Sequence, residues 1–375
     1  MGSIDVLRGL VMVIMTLDHV RAYLTSPAVE PTDLGEASTA LFLTRWITHY
    51  CAPTFVLLAG MSAWLAGRRR TRRELSTFLL TRGIWLILLE VTVVSFGWYF
   101  NLRYEMGAFL QVIWAIGGSM VVLAGLVHLP RPVIGLTALA LISGHNLLDG
   151  FVPAPGSLLA ALWPALHVEA AYEAVPLFVI YPIVPWIGVM AAGYFLGPLL
   201  AAPAAERRRQ LVTLGLLAIG LFIVLRVSGV YGEPSPMEAR ESVVRTFLSF
   251  LNTTKYPPSL LYLCMTLGPG LIALALLERA EGRAARVIAT FGQAPLFYYV
   301  AHIYLVHALA LVLGAVQGFA PGQLATAYFL FPANYGAGLA VSYAVTAAVV
   351  MALYQPTRAF AERKRRGTGW WWSYV

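Results

Sequence analysis

Ten times along the chain, long apolar stretches recur with few charges in them: 4–24, 46–67, 78–100, 107–128, 132–150, 176–200, 210–231, 257–278, 287–315 and 337–355. Each is near the ~20 residues a helix needs to cross the hydrocarbon of a bilayer. No soluble core requires so many in series. Inside lipid every backbone N–H and C=O must find its partner within the segment, so such stretches are helices. The composition agrees. Of 375 residues, 59% are hydrophobic and only 12% are charged, against about 25% charged in soluble domains. The expected fold is all-α: a polytopic integral membrane protein of about ten transmembrane helices. It forms a single domain over residues 1–375, with no internal repeat or linker.

The net charge of +8 does not mark a nucleic-acid binder, because the basic residues are dispersed in short connections. They are RRRTRR at 68–73, ERRR at 206–209, RAEGRAAR at 279–286 and ERKRR at 362–366, after the second, sixth, eighth and tenth stretches. The longer connections 25–45, 151–175, 232–256 and 316–336 follow the first, fifth, seventh and ninth and lack such clusters. Basic loops stay in the cytoplasm. This places both termini inside and makes the chain a multi-pass protein of the cell's inner (plasma) membrane. The first stretch is interrupted by charge and has no small-residue cleavage pattern, so it reads as a span and not as a removed signal. Cys51 and Cys264 both sit in apolar surroundings, which points to neither a disulfide framework nor a zinc site. No metal is expected.

The charges that do enter the apolar stretches are the informative ones, since an ionisable group at mid-membrane costs about 2.5–3.5 kcal/mol and persists where it pairs or meets water. The first stretch, IDVLRGLVMVIMTLDHVRAYL, carries Arg8, Asp18, His19 and Arg21. Arg8 and His19 are eleven residues apart. At 100° per residue that returns to the same stripe, about 16 Å further along the axis. Asp18 lies beside the stripe, where it orients His19 or pairs with Arg21. His49 begins the second span at a depth similar to His19, so either histidine suits acid–base work. In the ninth span His302 sits near mid-depth with Tyr298 and Tyr299 on its face. His307 points elsewhere, and Gln293 with Pro295 implies a locally opened backbone. Glu90 and Arg226 are expected to form a structural pair. His145, Asn146 and Asp149 crowd the outer end of the fifth span, and Lys255 and Tyr256 stand at the outer mouth of the eighth.

The ordered set DVLRGLVMVIMTLDH, HYCAPTFVLLAGMSAWLAG, YPIVPWIGVMAAGYFLG, TTKYPPSLLYLCMTLGP, FGQAPLFYYVAHIYLVH and the C-terminal WWSYV resembles bacterial membrane proteins related to the heparan-alpha-glucosaminide N-acetyltransferase catalytic domain. The resemblance implies transmembrane acyl transfer. Acetyl-CoA, or another acyl-CoA, is drawn from the cytoplasm, and the amine or hydroxyl of an extracytoplasmic sugar or glycan is acylated. The expected partners are the bilayer, the acyl-CoA and that acceptor, with a homo-oligomer allowed. In the lysosomal relatives the presumed catalytic histidine lies in the loop before the second span. This chain has GEASTALFLT at 35–44 there, so the role passes to His49 or His19.

The expected site follows. Arg8, Arg82 and the 68–73 cluster hold the donor's phosphates as fixed cations. Gln293, Tyr298 and His302 line the path. His49 or His19 is the general base with Asp18 as its orienter, and Tyr256, Lys255 or His302 donates to the oxyanion. The competing reading is a permease or flippase for an envelope precursor that uses the same polar path.

Overall fold

The structure, a computed structural model, describes residues 2–172 and 175–374. It is predominantly helical. The helices are α1 (Ser3–Leu24), α2 (Thr39–Thr48), α3 (Cys51–Gly67), α4 (Arg72–Leu89), α5 (Ser95–Tyr99), α6 (Val112–Leu126), α7 (Arg131–Gly144) and α8 (Leu158–Leu166). They continue as α9 (Val184–Leu196), α10 (Ala204–Ser228), α11 (Val243–Leu251), α12 (Leu260–Leu276), α13 (Gly282–Gln293), α14 (Pro295–Val316), α15 (Pro321–Leu324) and α16 (Leu339–Arg366).

Among the described residues, seven helical stretches are long and apolar enough to cross a membrane: Thr39–Gly67, Arg72–Tyr99, Val184–Ala201, Ala204–Ser228, Leu260–Arg279, Pro295–Val316 and Leu339–Arg366. The other three expected spans are also helices, but they fall short for physical reasons. The 22 residues of α1 hold Asp5, Arg8, Asp18 and Arg21. The 15 of α6 and 14 of α7 are brief. The helix α1 is the hub, packed against α2, α3, α13, α14 and α16. That position lets it carry charge, since protein and not lipid surrounds it.

Close crossings build the bundle. A Cβ on Gly9 would lie 1.9 Å from the Ile288 carbonyl oxygen, and one on Gly292 would lie 2.0 Å from that of Asp5. The backbones of α1 and α13 therefore touch. The same happens where Gly60 of α3 meets Gly193 of α9. In lipid, where apolar burial gives little drive between helices, such backbone approach is a main source of association.

Three local features depart from unbroken spans. The ninth apolar stretch is two helices. Ala294 (φ −131°, ψ 54°) separates α13 from α14, because Pro295 disfavours helical geometry in the residue before it. The third span contains a π-helical turn at Glu90–Val94. There Glu90 does not pair with Arg226. Its Oε2 accepts the Trp114 N–H at 2.8 Å and so caps the first turn of α6. Arg226 is held instead by the carbonyls of Ser235, Ser249, Phe250 and Asn252. Last, the chain is not purely α-helical. Strands β1 (Ala108–Leu110), β2 (Ala170–Ala171) and β3 (Leu177–Val179) form a small sheet in the order β1-β3-β2, parallel for β1–β3 and antiparallel for β2–β3. Residues 107–110 and 176–183 were expected inside spans four and six. Gly107 at φ +89° and the prolines 176, 182 and 185 keep helices from starting earlier.

Candidate active site

Three cavities lie in series along α1 and share walls. The first, about 270 Å³, is bounded at its basic end by Arg8, Arg82, Lys364 and Gln293, and otherwise by apolar side chains. Met15, Phe55, Val112 and Tyr299 are common to it and to a neck of about 40 Å³. Asp18, His19, Gln111, Tyr181 and Lys255 are common to the neck and to a vestibule of about 490 Å³, which Arg45, Tyr256 and Tyr328 also line. The stripe of α1 inferred from helical periodicity is thus the wall these cavities share, with Arg8 in the first and His19 at the neck.

The basic chamber suits an anion. Arg8 donates to the Gly292 carbonyl at 3.2 Å and to Ser62 Oγ at 2.9 Å, and it approaches Asp5 at 3.7 Å. Those bonds fix the guanidinium but use only part of its five donors. Arg82 and Lys364 face the same space, so three cations meet there. Phosphate oxygens are the usual match for such a set.

At the neck, His19 Nδ1 and His302 Nε2 are 2.7 Å apart, with the rings nearly coplanar (7°). His302 Nδ1 lies 2.9 Å from the Tyr298 carbonyl, which can only accept. For neutral rings the tautomers follow by assignment of donors. His302 Nδ1 donates to the carbonyl, so its Nε2 accepts. His19 Nδ1 therefore donates, leaving a lone pair on His19 Nε2, the nitrogen that a base needs. His302 is fully buried. It stands behind His19, not on the cavity wall, and acts through it.

The structure redistributes several expected roles. Asp18 does not orient His19; it receives Arg21 Nη2 at 3.1 Å and Arg45 Nη1 at 2.6 Å. Two cations hold that carboxylate, so it is a poor base and a good anchor for Arg45. His49 lies at the junction of α2 and α3, 3% exposed. Its ring is 5.4 Å from that of Tyr262, and its carbonyl accepts the Tyr262 hydroxyl at 2.8 Å. It is on the wall of none of the three cavities. Tyr298 likewise turns away, its hydroxyl 2.7 Å from Thr16 Oγ1, while its neighbour Tyr299 reaches both the chamber and the neck. His307 lies between the carbonyls of Gly97 and Leu324 at 2.9 and 2.8 Å, as a packing residue does. Gln293 lines the first cavity, and Lys255 and Tyr256 line the vestibule. Lys255 Nζ stands 5.1 Å from the centre of the Tyr256 ring. Glu233 fastens their loop by accepting from Thr254 and Ser259.

Lys364, Arg45, Gln111 and Tyr181 were not singled out from sequence, and Tyr299 was named only as a neighbour of His302. Lys364 sits in the basic cluster that marks a loop, and nothing in one dimension says that α16 returns it to Arg8. Glu169, on the loop ahead of β2, stands at the vestibule mouth. Its side chain is exposed, yet desolvation by the neighbouring walls pushes the carboxyl up to about 7 against the pull of Lys255.

A family model described as heparan-alpha-glucosaminide N-acetyltransferase, catalytic, matches residues 1–227. The match takes in α1 to most of α10 and so includes Arg8, Asp18, His19, Arg45 and Arg82; Lys255, His302 and Lys364 lie beyond it. No curated protein sequence matches the chain.

Proposed function

Since the chain belongs to the heparan-alpha-glucosaminide N-acetyltransferase catalytic-domain family, we propose that it transfers an acyl group, acetyl foremost, from cytoplasmic acyl-CoA to an amine or hydroxyl of an extracytoplasmic sugar or glycan. The basic chamber receives the donor's phosphates on Arg8, Arg82 and Lys364. The pantetheine arm follows the apolar wall of Met12, Met15 and Phe55. Its thioester reaches the neck, about 16 Å along the helix axis, where the acceptor arrives through the vestibule.

There His19 Nε2 takes the proton of the attacking amine or hydroxyl. The tetrahedral oxyanion meets donors from Lys255, Gln111 or Tyr256. His19 then gives the Nε2 proton to the leaving thiolate, which departs as the free thiol, and the Nδ1 bond to His302 holds the ring in its starting tautomer. In this reading both termini are cytoplasmic and the protein sits in the inner membrane. The observation that carries it is the placing of His19, with Nδ1 engaged by His302, on the wall of the constriction between a cation-lined chamber and a polar vestibule.

The decisive experiment uses purified protein in proteoliposomes with labelled acetyl-CoA outside and a glucosamine-type acceptor inside. Acylated acceptor in the lumen, with free CoA released outside, is the expected result. Because the cavities lie in series, a permease has a claim on the same geometry; transport of an unmodified solute, with the donor intact, would replace acyl transfer by that reading.

A further inference from the structure

Away from the cavities, the chain brings together three side chains that the proposed reaction does not use. His145 closes α7, Asp149 follows four residues later, and His167 ends α8. One ligand atom from each lies within 4.8 Å of the other two. Both imidazoles are 2% exposed. The Pro258 carbonyl interacts with the His145 ring without reaching regular hydrogen-bond geometry, and His167 Nδ1 makes no hydrogen bond; His167 Nε2 is 3.1 Å from Asp149 Oδ1.

A buried ring with a nitrogen left unpaired is costly. It calls for something that the three residues share. Asp149 is positioned from outside the set: Asn146 Nδ2 donates to its second oxygen at 2.8 Å, and Asn146 Oδ1 accepts the Leu260 N–H at the start of α12. Ordered carboxylates of this kind support metal sites. Asp149 is also the member open to solvent, at 27% side-chain exposure, so an ion has an entry route.

We propose that His145, Asp149 and His167 bind a borderline divalent transition metal, Zn²⁺ first among them. One nitrogen from each imidazole and one carboxylate oxygen serve as ligands. Two histidines and a carboxylate are a regular set for Zn²⁺, with Zn–N near 2.0 Å and ligand atoms about 3.3 Å apart in a tetrahedron. Binding draws the ligand atoms, now within 4.8 Å of one another, to that spacing. Hard Mg²⁺ and Ca²⁺ prefer all-oxygen sites and are excluded by the imidazoles. The ion ties the end of α7 to the end of α8 and, through Asn146, to α12. The connection after His167 supplies Glu169, Phe178 and Ile180 to the vestibule wall, so the metal stiffens that rim. The inference stands independently of the acyl-transfer reading, because its readouts are binding and stability.

The test titrates full-length, chelator-treated protein in detergent with Zn²⁺, and separately with Co²⁺ followed by visible absorption. One equivalent of Zn²⁺ should bind and raise Tm by several degrees, which Mg²⁺ should not do. Co²⁺ should give ligand-field bands that Zn²⁺ bleaches. Asp149→Asn alters the exposed ligand and leaves the fold intact; it should weaken Zn²⁺ binding at least tenfold and erase the rise in Tm, and His145→Gln should do the same. Absence of saturable Zn²⁺ binding and of cobalt bands in the wild type would overturn the proposal. So would Zn²⁺ binding undiminished in Asp149→Asn, since the ion would then sit on other histidines.

Discussion

A histidine whose Nδ1 is committed as a donor presents its other nitrogen as a base, and this determines what substitutions at the neck do. His19→Ala should lower kcat by about 10²–10⁴, the usual worth of a general base, whereas His49→Ala should leave turnover near wild type. Equal losses from both would remove the distinction drawn from their surroundings. His302 is a positioning residue. His302→Ala frees the His19 ring to adopt the other tautomer and should cost about tenfold or more in kcat. His302→Gln keeps an acceptor close to where Nε2 was and should recover part of it. The pH–rate profile should move with His302→Ala and return toward wild type with His302→Gln, a response that mere loosening of the packing would not give. At the basic chamber, Arg8→Ala and Lys364→Ala should raise KM for acyl-CoA about tenfold each with kcat little changed, since charge-assisted bonds contribute about 1.5–3 kcal/mol. With an acyl-pantetheine donor that lacks the nucleotide, the same variants should match wild type.

The elements carry their own tests. Where α1 crosses α13, a methyl group on Gly9 would occupy the space of the Ile288 carbonyl, and backbone cannot yield as a side chain does. Gly9→Ala should therefore destabilise by about 1–3 kcal/mol or more, read as a lowered Tm in detergent. The α6 start should be sensitive too. Glu90→Ala leaves the Trp114 N–H without its acceptor and should cost about 1–3 kcal/mol, while Glu90→Gln retains an acceptor and should cost less. These two cases also mark how far a linear reading reaches. The Arg8–His19 stripe was legible because helical periodicity is local. The opening at Pro295 was legible because proline acts on its own backbone. Glu90 was legible only as a buried acid that needed a partner. That partner is an N–H 24 residues away, and no periodicity relates the two. The His19–His302 bond, the place of Lys364 beside Arg8 and the meeting of His145 with His167 depend in the same way on how helices cross.

For the molecule as a whole, the alternation of basic and non-basic connections makes a prediction about sides. With Cys51 and Cys264 replaced, a cysteine at Arg69 should react with an impermeant maleimide only from the cytoplasm, and one at Asp33 only from outside. Labelling of both from one face would break the proposed path. Seven helical stretches have the length and apolarity of spans, while α1, α6 and α7 do not. These last three follow the expected segments by being sheltered or by being short. The narrow middle of the cavity series has a further consequence. At about 40 Å³ it holds only about three water molecules, and Tyr299 and the His19 ring border it. On the proposed reading, a constriction of this size between two aqueous faces passes a small covalent group far more readily than a stream of ions. An acyltransferase of the proposed kind would then work across an energised membrane while leaving the proton gradient intact.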